Sequence, residues 1–207
     1  MPEDHMFYNI QSTLLDHPGK VALIVYTRAC NWKCFGCYNM RNLLKDDFVK
    51  PISTQSICKK LNSPLVDMLI VSGGEALLLG DTLLEELLFI KQQTNKPIRV
   101  DTNGTRPEYV KKAKDVKAVD GFAMDVKYPY WRGKNFVLAK TITGVEVDTN
   151  AVLESMSYVD GMNYSLFRTV AYPFLDQEIL KSMEVYMRRN YVSPYYINPF
   201  YHMTKEV

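Results

Sequence analysis

Apolar residues rich in β-branched side chains recur in six short runs along the chain. Runs of this kind predict buried β-strands. Because stretches with helical spacing lie between most of the runs, we expect parallel strands joined by right-handed crossovers. The predicted strands span residues 21–27, 66–71, 98–102, 119–126, 165–171 and 191–197.

The clearest helical patterns lie in residues 81–92 and 176–189, where apolar residues recur three and four positions apart. Asp81 and Asp176 begin these stretches and are predicted to be N-cap residues. Weaker patterns predict further helices at residues 38–44, 53–61, 107–113 and 148–156.

Six strand–helix units predict either a doubly wound sheet or an incomplete (β/α)6 barrel of parallel strands, and in both folds ligands bind at the carboxyl ends of the strands. Polar motifs follow four consecutive predicted strands, so we expect them to meet at one site. These motifs are Cys30 and its loop, Ser72-Gly73-Gly74-Glu75, Asp101-Thr102-Asn103-Gly104 and Asp125-Val126-Lys127.

The composition is close to that of an average globular domain, with 47% hydrophobic and 23% charged residues among 207. We therefore expect a single domain over residues 1–207, with its core at about 14–200. A net charge of +2 is too small for the broad basic surface that binds nucleic acid. The acidic amino terminus and the charges that interrupt the longest apolar stretch, residues 77–90, predict a soluble, cytoplasmic protein without a membrane span.

Three of the four cysteines, Cys30, Cys34 and Cys37, fall within eight residues, whereas Cys58 stands apart. A structural disulfide framework uses evenly numbered, dispersed cysteines, so this cluster predicts metal or cluster ligands. Two interpretations remain open. Cys58 could complete a four-thiolate zinc site, or the three cysteines could hold a [4Fe-4S] cluster whose fourth iron is open. The zinc site would explain the cysteines but not the polar strand ends.

The Cys-x-x-x-Cys-x-x-Cys loop after the first strand, with Gly-Gly-Glu after the second, resembles the radical S-adenosylmethionine (SAM) superfamily. The resemblance implies an incomplete barrel of the radical SAM type. It also implies that Cys30, Cys34 and Cys37 ligate a [4Fe-4S] cluster and that SAM chelates the open iron. Cys58 has no counterpart in the motif.

Further motifs are similar to the activating enzymes of glycyl radical enzymes. They are Leu15-Asp16-His17-Pro18-Gly19-Lys20 before the first strand, the Asp-Thr-Asn-Gly and Asp-Val-Lys strand ends, Phe167-Arg168-Thr169-Val170, and a weaker echo at Tyr201-His202. Gly36 and Tyr38 flank the third cysteine where activators of the pyruvate formate-lyase type place an aromatic residue and a histidine. Gly-Cys-Tyr-Asn is instead similar to activating proteins of the anaerobic ribonucleoside-triphosphate reductase.

The resemblance implies roles for single residues. Gly36, Cys37 and Tyr38 would lie beside the adenosine of SAM, and Gly73, Gly74 and Glu75 beside its ammonium group. Asp125 and Lys127, on either side of Val126, would hold the ribose and the carboxylate, although they could also be partners in a structural salt bridge. The remaining candidates are Asp101 and Asn103, Arg168 as a carboxylate anchor or a solvated rim residue, His202 near the cofactor, and Asp101 with Asp125 around a monovalent cation.

The implied reaction is reductive cleavage of SAM by a cluster that an electron donor such as flavodoxin or ferredoxin reduces. The resulting 5′-deoxyadenosyl radical would remove a hydrogen from a glycine Cα of the partner, the anaerobic ribonucleoside-triphosphate reductase. The short chain leaves little to enclose a small substrate, which favours a protein substrate. The alternatives are a pyruvate formate-lyase type activator, a small-molecule enzyme such as 7-carboxy-7-deazaguanine synthase, and a zinc-stabilised binding protein.

Overall fold

A computed structural model describes residues 6–40, 50–132 and 136–201 of the protein. The described strands form one sheet in the order β3-β1-β2-β4-β5-β6-β7-β8. Strands β2 and β4 to β8 are parallel, and β1 and β3 join one edge as antiparallel strands. The strands are β1 (Phe7–Thr13), β2 (Ala22–Thr27), β3 (Pro51–Ile52), β4 (Met68–Gly73), β5 (Ile98–Thr102), β6 (Gly121–Asp125), β7 (Leu166–Ala171) and β8 (Tyr195–Pro199).

Each of the six parallel strands overlaps one of the six predicted runs, although β4 lies two residues and β8 up to four residues later in the chain than predicted. The parallel strands follow one another in sequence order without the reversal of a doubly wound sheet, and the sheet does not close, since β3 and β8 are its two edges. The incomplete barrel predicted from the sequence is therefore confirmed. The sequence did not predict β1 and β3. In β1 only Phe7 is buried, and its mixture of polar and apolar residues hides the alternation that marks a strand. β3 is only two residues long.

The helices are α1 (Thr54–Leu61), α2 (Gly80–Thr94), α3 (Pro107–Asp115), α4 (Phe136–Thr143), α5 (Thr149–Val159) and α6 (Gln177–Asn190). Asp176 caps α6 as predicted, because its carboxylate accepts a 2.7 Å hydrogen bond from the Ile179 amide. The predicted cap at Asp81 is wrong: α2 already begins at Gly80, and Asp81 in its first turn pairs with Lys112. α4 was not predicted, and the predicted helix at 38–44 lies mostly outside the described residues.

Two apolar clusters lie on the two faces of the sheet. The larger one packs strand residues such as Leu23 and Val25 against the helices. The smaller one, on the opposite face, consists of Ala22, Ile24, Tyr26, Met68 and Ile70. The face that carries the smaller cluster becomes polar toward the carboxyl ends of the strands. Among the described residues, no helix is long and apolar enough to cross a membrane.

Candidate functional site

A cavity of about 1050 Å³ opens at the carboxyl ends of the parallel strands, just above the usual range for small-molecule sites. Its lining joins the cysteine loop to residues near the carboxyl ends of five strands, β4 to β8. Twelve of the predicted site residues lie along it: Cys30, Cys34, Gly36, Cys37, Tyr38, Gly73, Gly74, Asp101, Asn103, Asp125, Lys127 and Arg168. Glu75 and Val126 are buried next to lining residues. His202 lies outside the described residues.

The cysteine loop is held by the carboxyl end of α4. The amides of Lys33 and Phe35 donate 2.8 Å hydrogen bonds to the carbonyls of Thr143 and Ile142. The last carbonyls of a helix have no partner within the helix, so they are available to a neighbouring segment. The helix that the sequence did not predict therefore fixes the backbone between Cys30 and Cys37.

Gly144, directly after α4, packs closely against this loop. A Cβ at Gly144 would lie 2.7 Å from the Lys33 carbonyl oxygen, and the residue has a φ of +73°. Gly161 has a similar φ of +78°, but a Cβ there would meet only Val192 Cγ2, at 3.7 Å. The two glycines share the same backbone requirement and differ in their contact with the cysteine loop.

We expect Gly144→Ala to lower the iron content after anaerobic reconstitution with iron and sulfide at least several-fold, because the loop backbone must move. Gly161→Ala is the matched control and should keep the wild-type iron content. Both variants should lose about 1–2 kcal/mol of stability from the left-handed backbone. Iron analysis and thermal unfolding of both proteins measure these effects. Equal iron contents in the two variants would show that Gly144 does not position the loop.

Two asparagines connect the cysteine loop to the strand ends. The side chain of Asn31 donates to the Thr105 hydroxyl and accepts from the side-chain amide of Asn103, both at 2.8 Å. Asn39 donates a 2.8 Å hydrogen bond to the Gly73 carbonyl. Sequence reasoning assigned neither asparagine a role, although both stand next to cysteine-motif residues. They tie the loop to β5 and β4.

Gly73 and Gly74 allow the end of β2 and the start of the cysteine loop to pass close to the end of β4. A Cβ at Gly73 would lie 2.3 Å from the Thr27 carbonyl oxygen, and one at Gly74 would lie 1.9 Å from that of Ala29. The Gly74 amide donates to the Thr27 carbonyl at 3.0 Å. The two glycines are therefore required by the packing of the protein backbone on itself, besides facing the cavity.

Glu75 is 1% exposed, and its carboxylate accepts three hydrogen bonds. The backbone amide of Asn103 donates to Oε2 at 2.7 Å. The Thr102 hydroxyl and the backbone amide of Leu77 donate to Oε1 at 2.8 and 3.2 Å. Burial raises the pKa of Glu75 to about 7, although these donors act in the opposite direction. In this arrangement Glu75 joins the ends of β4 and β5.

Five charged side chains of alternating sign form a chain across the ends of β5, β6 and β7. Arg99 donates to Asp101 Oδ1 at 3.2 Å, and Arg168 donates to Asp101 Oδ2 at 3.2 Å and to Asp125 Oδ1 at 2.6 Å. Lys127 donates to Asp125 Oδ2 at 2.9 Å. Asp125 and Lys127 thus do form a salt bridge, and Arg168 bridges two carboxylates rather than standing alone at the rim.

This chain of charges sets the protonation of its members. Burial by itself would raise the pKa of Asp125, but the nearby Arg168 and Lys127 charges outweigh it and lower the pKa to about 2. Burial would lower the pKa of Lys127, and the charge of Asp125 raises it instead. The pair is therefore ionised throughout the physiological pH range.

Arg99 belongs to this chain but was missed in the sequence. It is completely buried and also donates a 2.6 Å hydrogen bond to the Asp16 carbonyl, which fixes the segment before β2. Because alternate residues of a strand face the same side, its position two residues before Asp101 was a usable signal. A buried arginine within an apolar strand needs such a partner.

The aromatic ring of Phe200 lies close to Gly36, which is exposed and has a φ of +60°. A Cβ there would lie 2.6 Å from Cε2 of Phe200. Phe35 stacks on Phe200 with ring centroids 5.5 Å apart and meets Phe174 edge-on at 4.9 Å. Tyr38 lines the same cavity and is half exposed. The Phe200 ring therefore occupies the space that a side chain at position 36 would need.

The cysteines differ in their surroundings. Burial raises the pKa of Cys30 and raises that of Cys34 to about 11, so metal binding has to displace protons from these thiols. Cys58 lies in the larger apolar cluster with the α1 residues Ile57 and Leu61, not among the cavity-lining residues. In the described part of the chain, no three His, Cys, Asp or Glu side chains converge around a single metal-ion position.

The sequence of this chain is similar to one protein family and to one curated protein. The sequence pattern of the Radical SAM superfamily matches residues 24–185, which run from β2 into α6. A Methanocaldococcus jannaschii protein named "Putative glycyl-radical enzyme activating enzyme MJ1227" is 29% identical over 128 residues, covering 62% of this chain and 52% of that protein.

Two solved structures share the fold. Native anSMEcpe with bound AdoMet has a TM-score of 0.62 at 16% identity and covers 87% of this chain and 51% of that chain. Methylornithine synthase (PylB) has a TM-score of 0.63 at 16% identity, and the match covers 84% of this chain and 51% of that chain. The chain thus spans about half the length of each of these proteins. Because the superfamily pattern matches well over half of the chain, the protein belongs to the radical SAM superfamily.

Proposed function

We propose that the protein is a radical SAM activating enzyme that generates a glycyl radical on the anaerobic ribonucleoside-triphosphate reductase. The observation that carries the proposal is the meeting of three cysteines from one loop with the polar ends of β4 to β7 around one cavity. The name of the Methanocaldococcus jannaschii relative supports the activating-enzyme class. The Gly-Cys-Tyr-Asn sequence at residues 36–39 favours the reductase over pyruvate formate-lyase as the target.

The donor set fits a cluster with one open iron. Cys30, Cys34 and Cys37 supply three thiolates, and Cys58 is held in the apolar core. A [4Fe-4S] cluster held by these three cysteines would supply the electron for reductive cleavage of SAM, the chemistry that leads to hydrogen removal from a glycine of the partner. The protein contributes binding, orientation and exclusion of competing reactions.

The strand-end residues fit the polar groups of SAM. Lys127 and Arg168 place positive charge in the cavity for the carboxylate, and Asp125 offers an acceptor to the ribose. Gly73 and Gly74 expose backbone to the ammonium group. Because the Glu75 carboxylate already accepts three hydrogen bonds, we assign it the role of holding this strand end and Asn103 in place.

The cavity mouth suits a protein substrate. Leu15, Tyr38 and Tyr201 are 94%, 50% and 61% exposed around it, which leaves apolar surface for a partner. Glycine is a suitable target because it adopts backbone conformations that other residues avoid, so a glycine-bearing loop can enter a tight site. Flavodoxin or ferredoxin is the proposed electron donor.

Anaerobic reconstitution tests the enzyme class. The protein reconstituted with iron and sulfide should be brown and should convert SAM to methionine and 5′-deoxyadenosine in equal amounts under a strong reductant. Liquid chromatography of the products and metal analysis measure both properties. A colourless protein that retains zinc and leaves SAM intact would instead support the zinc-stabilised binding protein.

A further inference from the structure

The chain of five charges does not fit a monovalent cation between Asp101 and Asp125. Every oxygen of the two carboxylates already accepts a hydrogen bond from a cationic side chain. Asp101 Oδ1 accepts from Arg99 and Oδ2 from Arg168, while Asp125 Oδ1 accepts from Arg168 and Oδ2 from Lys127.

We propose that the guanidinium of Arg168 takes the place of a bound cation, so that this site excludes K⁺ and Na⁺. Arg168 contacts both carboxylates at once, with Nε 2.6 Å from Asp125 and Nη2 3.2 Å from Asp101. A planar guanidinium is permanently charged, and its fixed donors suit two carboxylates. A hard cation needs several oxygen ligands, and to bind between Asp101 and Asp125 it would have to displace the Arg168 guanidinium that contacts both carboxylates.

The net charge of the five side chains also disfavours a bound cation. Arg99, Arg168 and Lys127 carry three positive charges against the two negative charges of Asp101 and Asp125, so the group has a net charge of +1. Because the carboxylates are largely buried, with side-chain exposures of 7% and 21%, solvent screens these charges poorly. An added cation would be repelled, whereas one negative charge from a ligand would be attracted.

Thermal unfolding of the full chain in KCl, NaCl and choline chloride at matched ionic strength tests the proposal, before and after cluster reconstitution. The wild-type Tm should be the same in the three salts. Arg168→Gln should leave carboxylate oxygens without their cationic partner, so its Tm should be higher in KCl than in choline chloride by about 2–4 °C. Arg106→Gln is the control, since Arg106 pairs with Glu108 at the surface and should show no such difference.

A saturable increase of the wild-type Tm in KCl or NaCl over choline chloride would overturn the proposal. An Arg168→Gln protein that responds to K⁺ no more than wild type would also overturn it. If that variant does not fold, the wild type can be titrated calorimetrically with thallium(I), a K⁺ substitute. We expect no binding heat, and stoichiometric binding of thallium(I) would contradict the proposal. Loss of the proposed SAM cleavage would be a separate failure, because these salt responses need no SAM.

Discussion

Cys34→Ala should reduce the iron content of the reconstituted protein to background and abolish SAM cleavage. Cys34 is one of three thiols that line the strand-end cavity, and a cluster with an open iron has no spare protein ligand to replace it. Iron and sulfide analysis and 5′-deoxyadenosine production measure the two losses.

Cys58→Ala is the matched control for this variant. Cys58 is buried in α1 against other apolar side chains, so removing its sulfur should cost about 1 kcal/mol, as for a buried methyl group. Iron content and SAM cleavage should both be retained. Loss of the cluster in Cys58→Ala, or a full cluster in Cys34→Ala, would overturn the assignment of the ligands.

Asp125→Asn should lower the free energy of unfolding at pH 7 by about 2–3 kcal/mol. Arg168 and Lys127 hold the pKa of Asp125 at about 2 in the folded protein, against about 3.9 in an unfolded chain, and this difference converts to that free energy. Neutralising Asp125 leaves both cations with one partner fewer. Because Asp125 also faces the cavity, the affinity for SAM should fall as well.

The pH dependence has a defined sign. Since the folded pKa of Asp125 is the lower one, its contribution is fully present above about pH 4 and is lost as the pH falls toward 2. Chemical denaturation of wild type and Asp125→Asn should therefore give unfolding free energies that converge over this interval. Asp115→Asn, which removes a surface partner of Lys111, is the control and should change little. A constant difference between wild type and Asp125→Asn down to pH 2 would contradict the role of the charged carboxylate.

Much of the fold could be predicted because its signals are local. Strands β2 and β4 are almost continuous apolar runs, and a strand buried on both faces produces such a run wherever it occurs. β1 and α4 escaped prediction for the opposite reason. β1 is half-buried at one side of the sheet, and α4 owes its place to contacts with the cysteine loop, which are distant in sequence.

The site could be predicted as a set of residues but not as a set of contacts. The motifs at successive strand ends brought Cys30, Gly73, Asp101 and Asp125 together because parallel strands end at the same edge. The partners of each side chain depend on register and burial. For that reason the bridge made by Arg168 could not be derived from spacing alone, nor could the packing of Gly74 against Ala29 and the ring of Phe200 on Gly36.

The most direct test of the proposed function is electron paramagnetic resonance of the anaerobic ribonucleoside-triphosphate reductase after incubation with the reconstituted protein, SAM and a strong reductant. We predict a glycyl radical signal that requires SAM and is absent with Cys34→Ala. Its splitting by the remaining Cα hydrogen should collapse when the reductase is made with α-deuterated glycine. SAM cleavage without a glycyl radical on the reductase, or a radical formed only on pyruvate formate-lyase, would contradict the assignment.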